Sequence, residues 1–156
     1  MIKRLEDEIK QRSFKSQQEK VLVNLIYTYN FFEHKFEELL KQFDITPQQY
    51  NILRILKGQY PNSISLNEIK NRMLDRNSDV SRIVERMRKK TLLTRTTNPK
   101  NRRAVEIKIT SKGIELLNSI EPYLKKYHDM LSHMSENELK NLNELLDKLR
   151  STTFNQ

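Results

Sequence analysis

The sequence predicts a mainly α-helical fold with one small β-hairpin. Three observations predict it. The 156 residues hold only two glycines and four prolines, so few positions interrupt a helix. Apolar residues recur at steps of three and four through most of the chain. The period then changes to two at Leu93 to Thr97 and Arg103 to Ile109, where β-branched residues alternate on either side of an Asn98-Pro99-Lys100-Asn101 turn.

The elements follow in order. Met1 to Lys15 is dense in charge, with Leu5 and Ile9 at helical spacing, and reads as a short helix or a mobile arm. Ser16 and Glu19 have the spacing of a capping box. The helix they open extends to about Phe43 through Leu22, Leu25, Ile26, Tyr29, Phe32, Phe36 and Leu39. Val21, Val23, Tyr27 and Phe31 add a second apolar face, so this helix is expected to be covered on two sides, one of them by a partner subunit. Thr46, Pro47 and Gln49 begin a helix that stops near Gly58. Tyr60-Pro61-Asn62 is a turn. Ser65 and Glu68 cap a short helix with Leu66, Ile69, Met73 and Leu74 expected inward. After Asp75-Arg76-Asn77, a helix from about Ser78 to Lys90 turns Val80, Ile83, Val84 and Met87 inward. In the hairpin, Val105, Ile107 and Ile109 share one strand face. Thr110 or Ser111 caps a long helix through Ile114, Leu117, Ile120, Leu124, Tyr127 and Leu131, with a kink expected at Pro122. Ser135 and Glu138 cap the last helix, with Leu139, Leu142, Leu146 and Leu149 on one face.

Composition narrows the function. The length is that of one ordinary domain. Apolar residues make up 36% of the chain and charged residues 31%, which suits an elongated protomer that gains burial from a second subunit. The net charge is +9. From Ser78 to Thr110 there are 10 cations and 3 anions, so +7 of that excess falls on about a fifth of the chain. Charge focused in this way is the footprint of a polyanion-binding face. Without cysteine there is no disulfide and no thiol-based sensing. The charged start does not read as a signal peptide, and no apolar run reaches the length of a membrane span, so a cytoplasmic protein with no membrane partner is expected.

Two short helices joined by a three-residue turn and followed by a basic hairpin have the order of a winged helix-turn-helix. A helix that enters a major groove must be narrow and polar on one face. Ser78, Asp79, Ser81, Arg82 and Arg86 lie on the arc opposite the apolar stripe. Arg82 and Arg86 are one turn apart, and arginine can bond two acceptors on guanine. Asp79 can accept from cytosine, cap the helix or orient Arg82. At the hairpin tip, Lys100, Arg102 and Arg103 suit phosphates or the adjacent minor groove, although one of the two arginines can instead pair with a carboxylate of its own chain.

Ser65 to Leu74 (SLNEIKNRML), Asn77 to Lys90 (NSDVSRIVERMRKK) and Asn98 to Gly113 (NPKNRRAVEIKITSKG) together resemble the MarR family of transcriptional regulators, and the similarity extends over nearly the whole chain. The resemblance implies a homodimer binding double-stranded DNA at a near-palindromic operator, usually as a repressor. Within a single protomer of residues 1–156, it implies dimerisation helices at 16–43 and 111–150 and a DNA-binding lobe at 46–110. The two recognition helices would reach successive major grooves about 10 bp apart. A small aromatic effector would lodge between the dimer region and the DNA lobe, and Tyr27, Phe31, His34 and Tyr50 are the aromatic candidates to line that pocket, against ordinary core or interface packing.

This chain departs from the family pattern in three places. Asn98 and Asn101 stand where acidic residues are usual in the wing, which removes repulsion from phosphate. Thr91 stands where the recognition helix usually ends at glycine. A threonine at positive φ costs on the order of 1 kcal/mol, so a different helix ending is expected. The third departure is the missing cysteine. Nothing in the sequence points to an enzyme, a metal or a cofactor: His34, His128 and His133 lack ligand spacing, and no nucleophile–base pattern is present. The competing reading is a winged-helix interaction module that uses its basic wing on a protein or RNA partner.

Overall fold

The computed structural model describes residues 3–98 and 101–151, with the backbone alone at 98 and 101–104. In chain order the elements are α1 (Leu5–Glu8), α2 (Gln17–Lys41), α3 (Pro47–Lys57), β1 (Ile64–Ser65), α4 (Leu66–Arg72) and α5 (Val80–Lys89). They continue with β2 (Leu93–Asn98), β3 (Asn101–Ile109), α6 (Ser111–His128), a 3₁₀ turn (Asp129–Leu131) and α7 (Glu136–Arg150). The fold is mostly helical with one small antiparallel sheet, as the sequence predicts. Residues 1–120 and 121–156 form two compact units, and α6 passes from one into the other.

Side-chain caps start the helices where the sequence places them. Thr46 with Gln49, Ser65 with Glu68, and Ser135 with Glu138 form reciprocal capping boxes. Ser16 makes half of one: its hydroxyl accepts from the Glu19 N–H, while the Glu19 carboxylate turns back to the Lys15 N–H at 2.6 Å. Of the two candidates at the start of α6, Thr110 is the cap, its hydroxyl accepting from the Gly113 N–H at 3.1 Å. The first segment is a helix of one turn rather than an arm. Leu5 is buried, Lys20 donates to Glu6 at 2.6 Å, and the Tyr27 hydroxyl donates to Glu8 at 3.0 Å.

The core of the first unit gathers around α3. Ile52, Leu53 and Leu56 are buried there with Ile69 of α4, Val80, Val84 and Met87 of α5, and Leu93, Ile107 and Ile109 of the sheet. α3 packs on α4, α5 and β3, and α5 packs on β2. Each fully buried aliphatic side chain contributes roughly 1.5–3 kcal/mol, so the stripe on α5 holds that helix with one face inward. Gln49 is the one buried polar side chain among the described residues, and its oxygen accepts from the Thr46 N–H at 3.1 Å.

The sheet differs from a plain hairpin. β1 pairs with β3, so the strand order is β1-β3-β2, with Ile64 opposite Ile107 on one side and Arg95 opposite Ile107 on the other. A two-residue strand has no period of its own, which is why the sequence shows only a turn nearby. The expectation for Leu74 also fails. α4 ends at Arg72, Met73 is extended at φ −62 and ψ 137, and Leu74 is 89% exposed, because the chain leaves helical phase before reaching it. Of the residues on α2, only Leu40 is buried within the single chain.

Gly113 holds α6 against the end of the recognition segment. A Cβ there would sit 2.3 Å from the Leu92 carbonyl oxygen and 2.8 Å from Ile109 Cγ1. Neither neighbour can give way easily, since one is backbone and the other belongs to a buried side chain. At Gly58, by contrast, the nearest atoms to an added Cβ lie at 3.5 and 3.6 Å. Gly113→Ala is therefore expected to destabilise the chain by about 1–3 kcal/mol or more. Gly58→Ala should be neutral or stabilising by up to about 1 kcal/mol. Thermal or urea unfolding of the two variants side by side checks the contrast.

Candidate nucleic-acid interface

The turn before α5 is built from short polar side chains. Asp75 accepts from the Asn77 N–H at 2.9 Å and from the Ser78 hydroxyl at 2.8 Å. Asn51, on α3, accepts from the Leu74 N–H at 2.9 Å and ties the turn to the core. Asp79 is the N-cap of α5, its carboxylate accepting from the Arg82 N–H at 3.1 Å. Of the three roles the sequence leaves open for Asp79, the structure shows the cap. Ser78 is half-buried with its proton committed to Asp75, so it offers an oxygen rather than a hydrogen to an outside group.

Across α5 the two faces divide by chemistry. Val80, Val84 and Met87 are buried, and Ser81, Arg82 and Arg86 are exposed. The cations also sort. Arg88 donates to Glu85 through Nε and Nη2, the latter at 2.7 Å, and Arg95 of β2 stands 3.7 Å from the same carboxylate. Lys90 pairs with Asp44 at 2.8 Å. Among the described residues neither Arg82 nor Arg86 has an ion-pair partner. Sequence reading placed Glu85 on the exposed arc as one charge among others; it is a brace between helix and strand. Only the i to i+3 spacing to Arg88 signals this beforehand, and the link to Arg95 needs the fold.

The Arg88 hydrogen bond to Glu85 holds that carboxyl below the usual carboxylate range, helped by the charges of Lys89 and Arg95. A carboxyl with its folded value depressed adds stability above its unfolded value, and that contribution is lost as pH falls through the folded value. The stability difference between the native chain and Glu85→Gln is therefore expected to be present at neutral pH and to vanish on acidification below the ordinary glutamate range. Unfolding curves across that range measure it.

At the C-terminus of α5 the expectation of a different helix ending is overturned. Thr91 adopts φ 61. Its N–H donates to the Arg88 carbonyl at 2.9 Å and the Leu92 N–H to the Met87 carbonyl at 3.1 Å, the two bonds of a Schellman motif. Three further bonds hold the threonine in the left-handed region. The Thr110 hydroxyl donates to the Thr91 carbonyl at 2.8 Å, and Lys112 donates to the Thr91 hydroxyl at 3.1 Å and to the Lys90 carbonyl at 3.0 Å. Lys112 and Thr110 are functional in this sense, and no spacing in the sequence marks them. Relief of roughly 1–2 kcal/mol of left-handed strain, less the ~0.4–1 kcal/mol that glycine gives to the unfolded chain, predicts that Thr91→Gly is stabilising by under about 1 kcal/mol. A rise in the thermal midpoint confirms it and a fall contradicts it.

The hairpin carries the remaining predicted residues. Lys100 lies outside the described residues, as do the side chains of Asn98, Asn101, Arg102 and Arg103; the backbone of the last three belongs to β3. Register is fixed below them by Leu93 opposite Ile109 and Thr97 opposite Val105, with an irregularity after Thr97. The aromatic candidates are dispersed. Tyr27 bonds Glu8, Phe31 meets Phe32 edge-on at 5.3 Å, the His34 ring nitrogen lies 3.3 Å from Glu38, and Tyr50 meets Phe36 edge-on at 5.3 Å.

Residues 45–105, from the start of α3 into β3, match the model of the MarR family. A MarR transcription factor from Planctomyces limnophilus, known as a crystal structure, is 32% identical; the match covers 86% of this chain and 98% of that one, with a TM-score of 0.68. The chain belongs to the MarR family. The HTH-type transcriptional regulator MhqR of Bacillus subtilis (strain 168) is 28% identical over 133 residues, 83% of this chain and 89% of that protein. The fold is also that of MepR from S. aureus, solved as a complex with DNA: 24% identity, TM-score 0.75, 90% of this chain and 100% of that one. This MarR-family chain is accordingly a DNA-binding transcriptional regulator and not an enzyme. Among the described residues no helix is long and apolar enough to cross a membrane.

Proposed function

We propose that this MarR-family protein represses transcription by binding a near-palindromic operator as a homodimer, with α5 of each subunit in a major groove. The observation that carries the reading is α5 itself, where a fully buried stripe holds one face inward and the opposite face presents Ser81, Arg82 and Arg86 without intramolecular ion pairs. In this reading Arg82 and Arg86 reach base edges, while Asp79 acts through its cap, which sets the Arg82 backbone. Ser78 lends its oxygen near the helix start. Lys100, Arg102 and Arg103, at the far end of the β2–β3 hairpin, meet phosphates or the neighbouring minor groove.

The homodimer rests on α2. Leu22 and Ile26 are 57% and 61% exposed, and Val21, Leu25, Tyr29 and Phe31 are exposed with them. Such an apolar face is rarely left to water. A second copy of the chain covers it at the cost of no new surface chemistry, and the exposed Leu142 and Leu145 of α7 extend the same need into residues 121–156. Residues 16–43 and 111–150 then serve as dimerisation helices and 46–110 as the DNA-binding lobe. A small aromatic effector, if taken up near α2, would meet Tyr27, Phe31, His34 and Tyr50.

Selection from random duplexes yields the operator, and titrations on it test the assignment. Affinity should fall steeply with added salt, as counterion release requires. Arg82→Ala should weaken binding by roughly 1–3 kcal/mol and broaden the choice of base at one position of each half-site. Unchanged DNA binding in both Arg82→Ala and Arg103→Ala would sink the assignment. Ile26→Glu should shift the protein from dimer to monomer in sedimentation, with a loss of association energy of roughly 2–4 kcal/mol. A native chain that sediments as a monomer at micromolar concentration contradicts the dimer.

A further inference from the structure

Two left-handed turns face each other across a cavity. α2 ends at Asp44, with φ 54, and α5 ends at Thr91, with φ 61. Lys90 bridges them, its ammonium donating to the Asp44 carboxylate at 2.8 Å and to the Asp44 carbonyl. Between this bridge and the first turns of α6 lies a half-open cavity of about 520 Å³. Phe43, Ile45, Leu92 and Leu116 give it an apolar floor, and Lys112 and Ser119 stand on the α6 side. None of Tyr27, Phe31, His34 or Tyr50 lines it. A volume of this size falls within the range of small-molecule sites.

The charges around the cavity are unequal in their commitments. Lys90 is neutralised by Asp44. Lys112 is not: its ammonium donates to the Lys90 carbonyl and the Thr91 hydroxyl, both uncharged, and among the described residues it has no carboxylate partner. A cation beside an apolar floor suits a ligand that brings one negative charge and an apolar body. The same ammonium supplies two of the bonds that hold the strained end of α5. A ligand anion that draws Lys112 toward itself takes those bonds away from Thr91 and Lys90.

We propose that this cavity binds a small organic carboxylate, with Lys112 as its counter-charge and the Phe43–Leu92–Leu116 floor under its apolar part, and that binding loosens the end of the recognition helix. The coupling rests on reading α5 as the helix that enters DNA; the binding does not. By linkage, a ligand that weakens DNA binding is itself weakened by DNA to the same extent.

Benzoate is a suitable probe, with benzyl alcohol as the uncharged control. The full chain without DNA is titrated while backbone amide resonances are followed. Saturable shifts are expected at Thr91, Leu92, Lys112 and Ser119, with weaker binding of benzyl alcohol. Lys112→Gln should lower benzoate affinity roughly tenfold or more, the usual effect of losing a charged hydrogen bond. Ser119→Trp, an exposed helix position, should abolish binding by filling the cavity. Shifts confined to other parts of the chain, or benzoate affinity unchanged in both variants, overturn the site. Operator affinity with and without saturating benzoate reads the coupling separately: a loss in the native chain that disappears in Ser119→Trp supports it, and an unchanged affinity overturns it. A failure of the DNA reading leaves the resonance titration as decisive as before.

Discussion

The chain reverses at Thr91, leaving the recognition helix and entering β2 within two residues, and the DNA-facing surface depends on that reversal being held. Left-handed backbone is costly for a β-branched residue, on the order of 1–2 kcal/mol. Nothing local to Thr91 offsets it. The compensation comes from elsewhere in the chain: the Thr110 hydroxyl on the Thr91 carbonyl, Lys112 on the Thr91 hydroxyl, and α6 lying so close to the Leu92 carbonyl that only glycine fits at 113. Thr110 also caps α6 through the Gly113 N–H. One residue thus fastens both the end of the helix that leaves and the start of the helix that returns. The buried stripe of α5 sets which face is outward, and this knot sets where the helix stops.

Much of the fold was legible in the sequence because its signals are local. Three reciprocal capping boxes, the three-to-four periodicity of α3 and α5, and the alternation that ends in Val105, Ile107 and Ile109 each predict an element where one occurs. What was not legible depends on contacts far apart in sequence. β1 exists because Ile64 meets Ile107, and two residues carry no period to announce it. Leu74 follows a helical pattern on paper, but α4 stops at Arg72 and the pattern is broken before it reaches that residue. At Thr91 the local propensity argument was sound and still lost, since tertiary bonds outweighed it.

The candidate site shows the same division. The sequence marks Arg82 and Arg86 by their spacing against an apolar stripe, and the fold leaves both exposed and without ion pairs among the described residues. It cannot separate them from Arg88, Arg95 and Lys90, which contribute equally to a charge tally. The structure does: Glu85 engages Arg88 and Arg95, and Asp44 engages Lys90. Only part of the focused positive charge is therefore open to a polyanion, and that part sits on one face of one helix and along the hairpin. Membership of the MarR family agrees with this arrangement and adds that the protein regulates transcription. The exposed apolar length of α2 then gives the DNA-binding unit a reason to occur in pairs.

The central claim is that two copies of α5 enter successive major grooves of one duplex. A hydroxyl-radical and guanine-methylation footprint on the selected operator tests it most directly. The account predicts two major-groove protections on one face of the DNA, related by the operator's two-fold axis and roughly 10 bp apart centre to centre. A single protected segment without that symmetry, or protection confined to the minor groove, would contradict it.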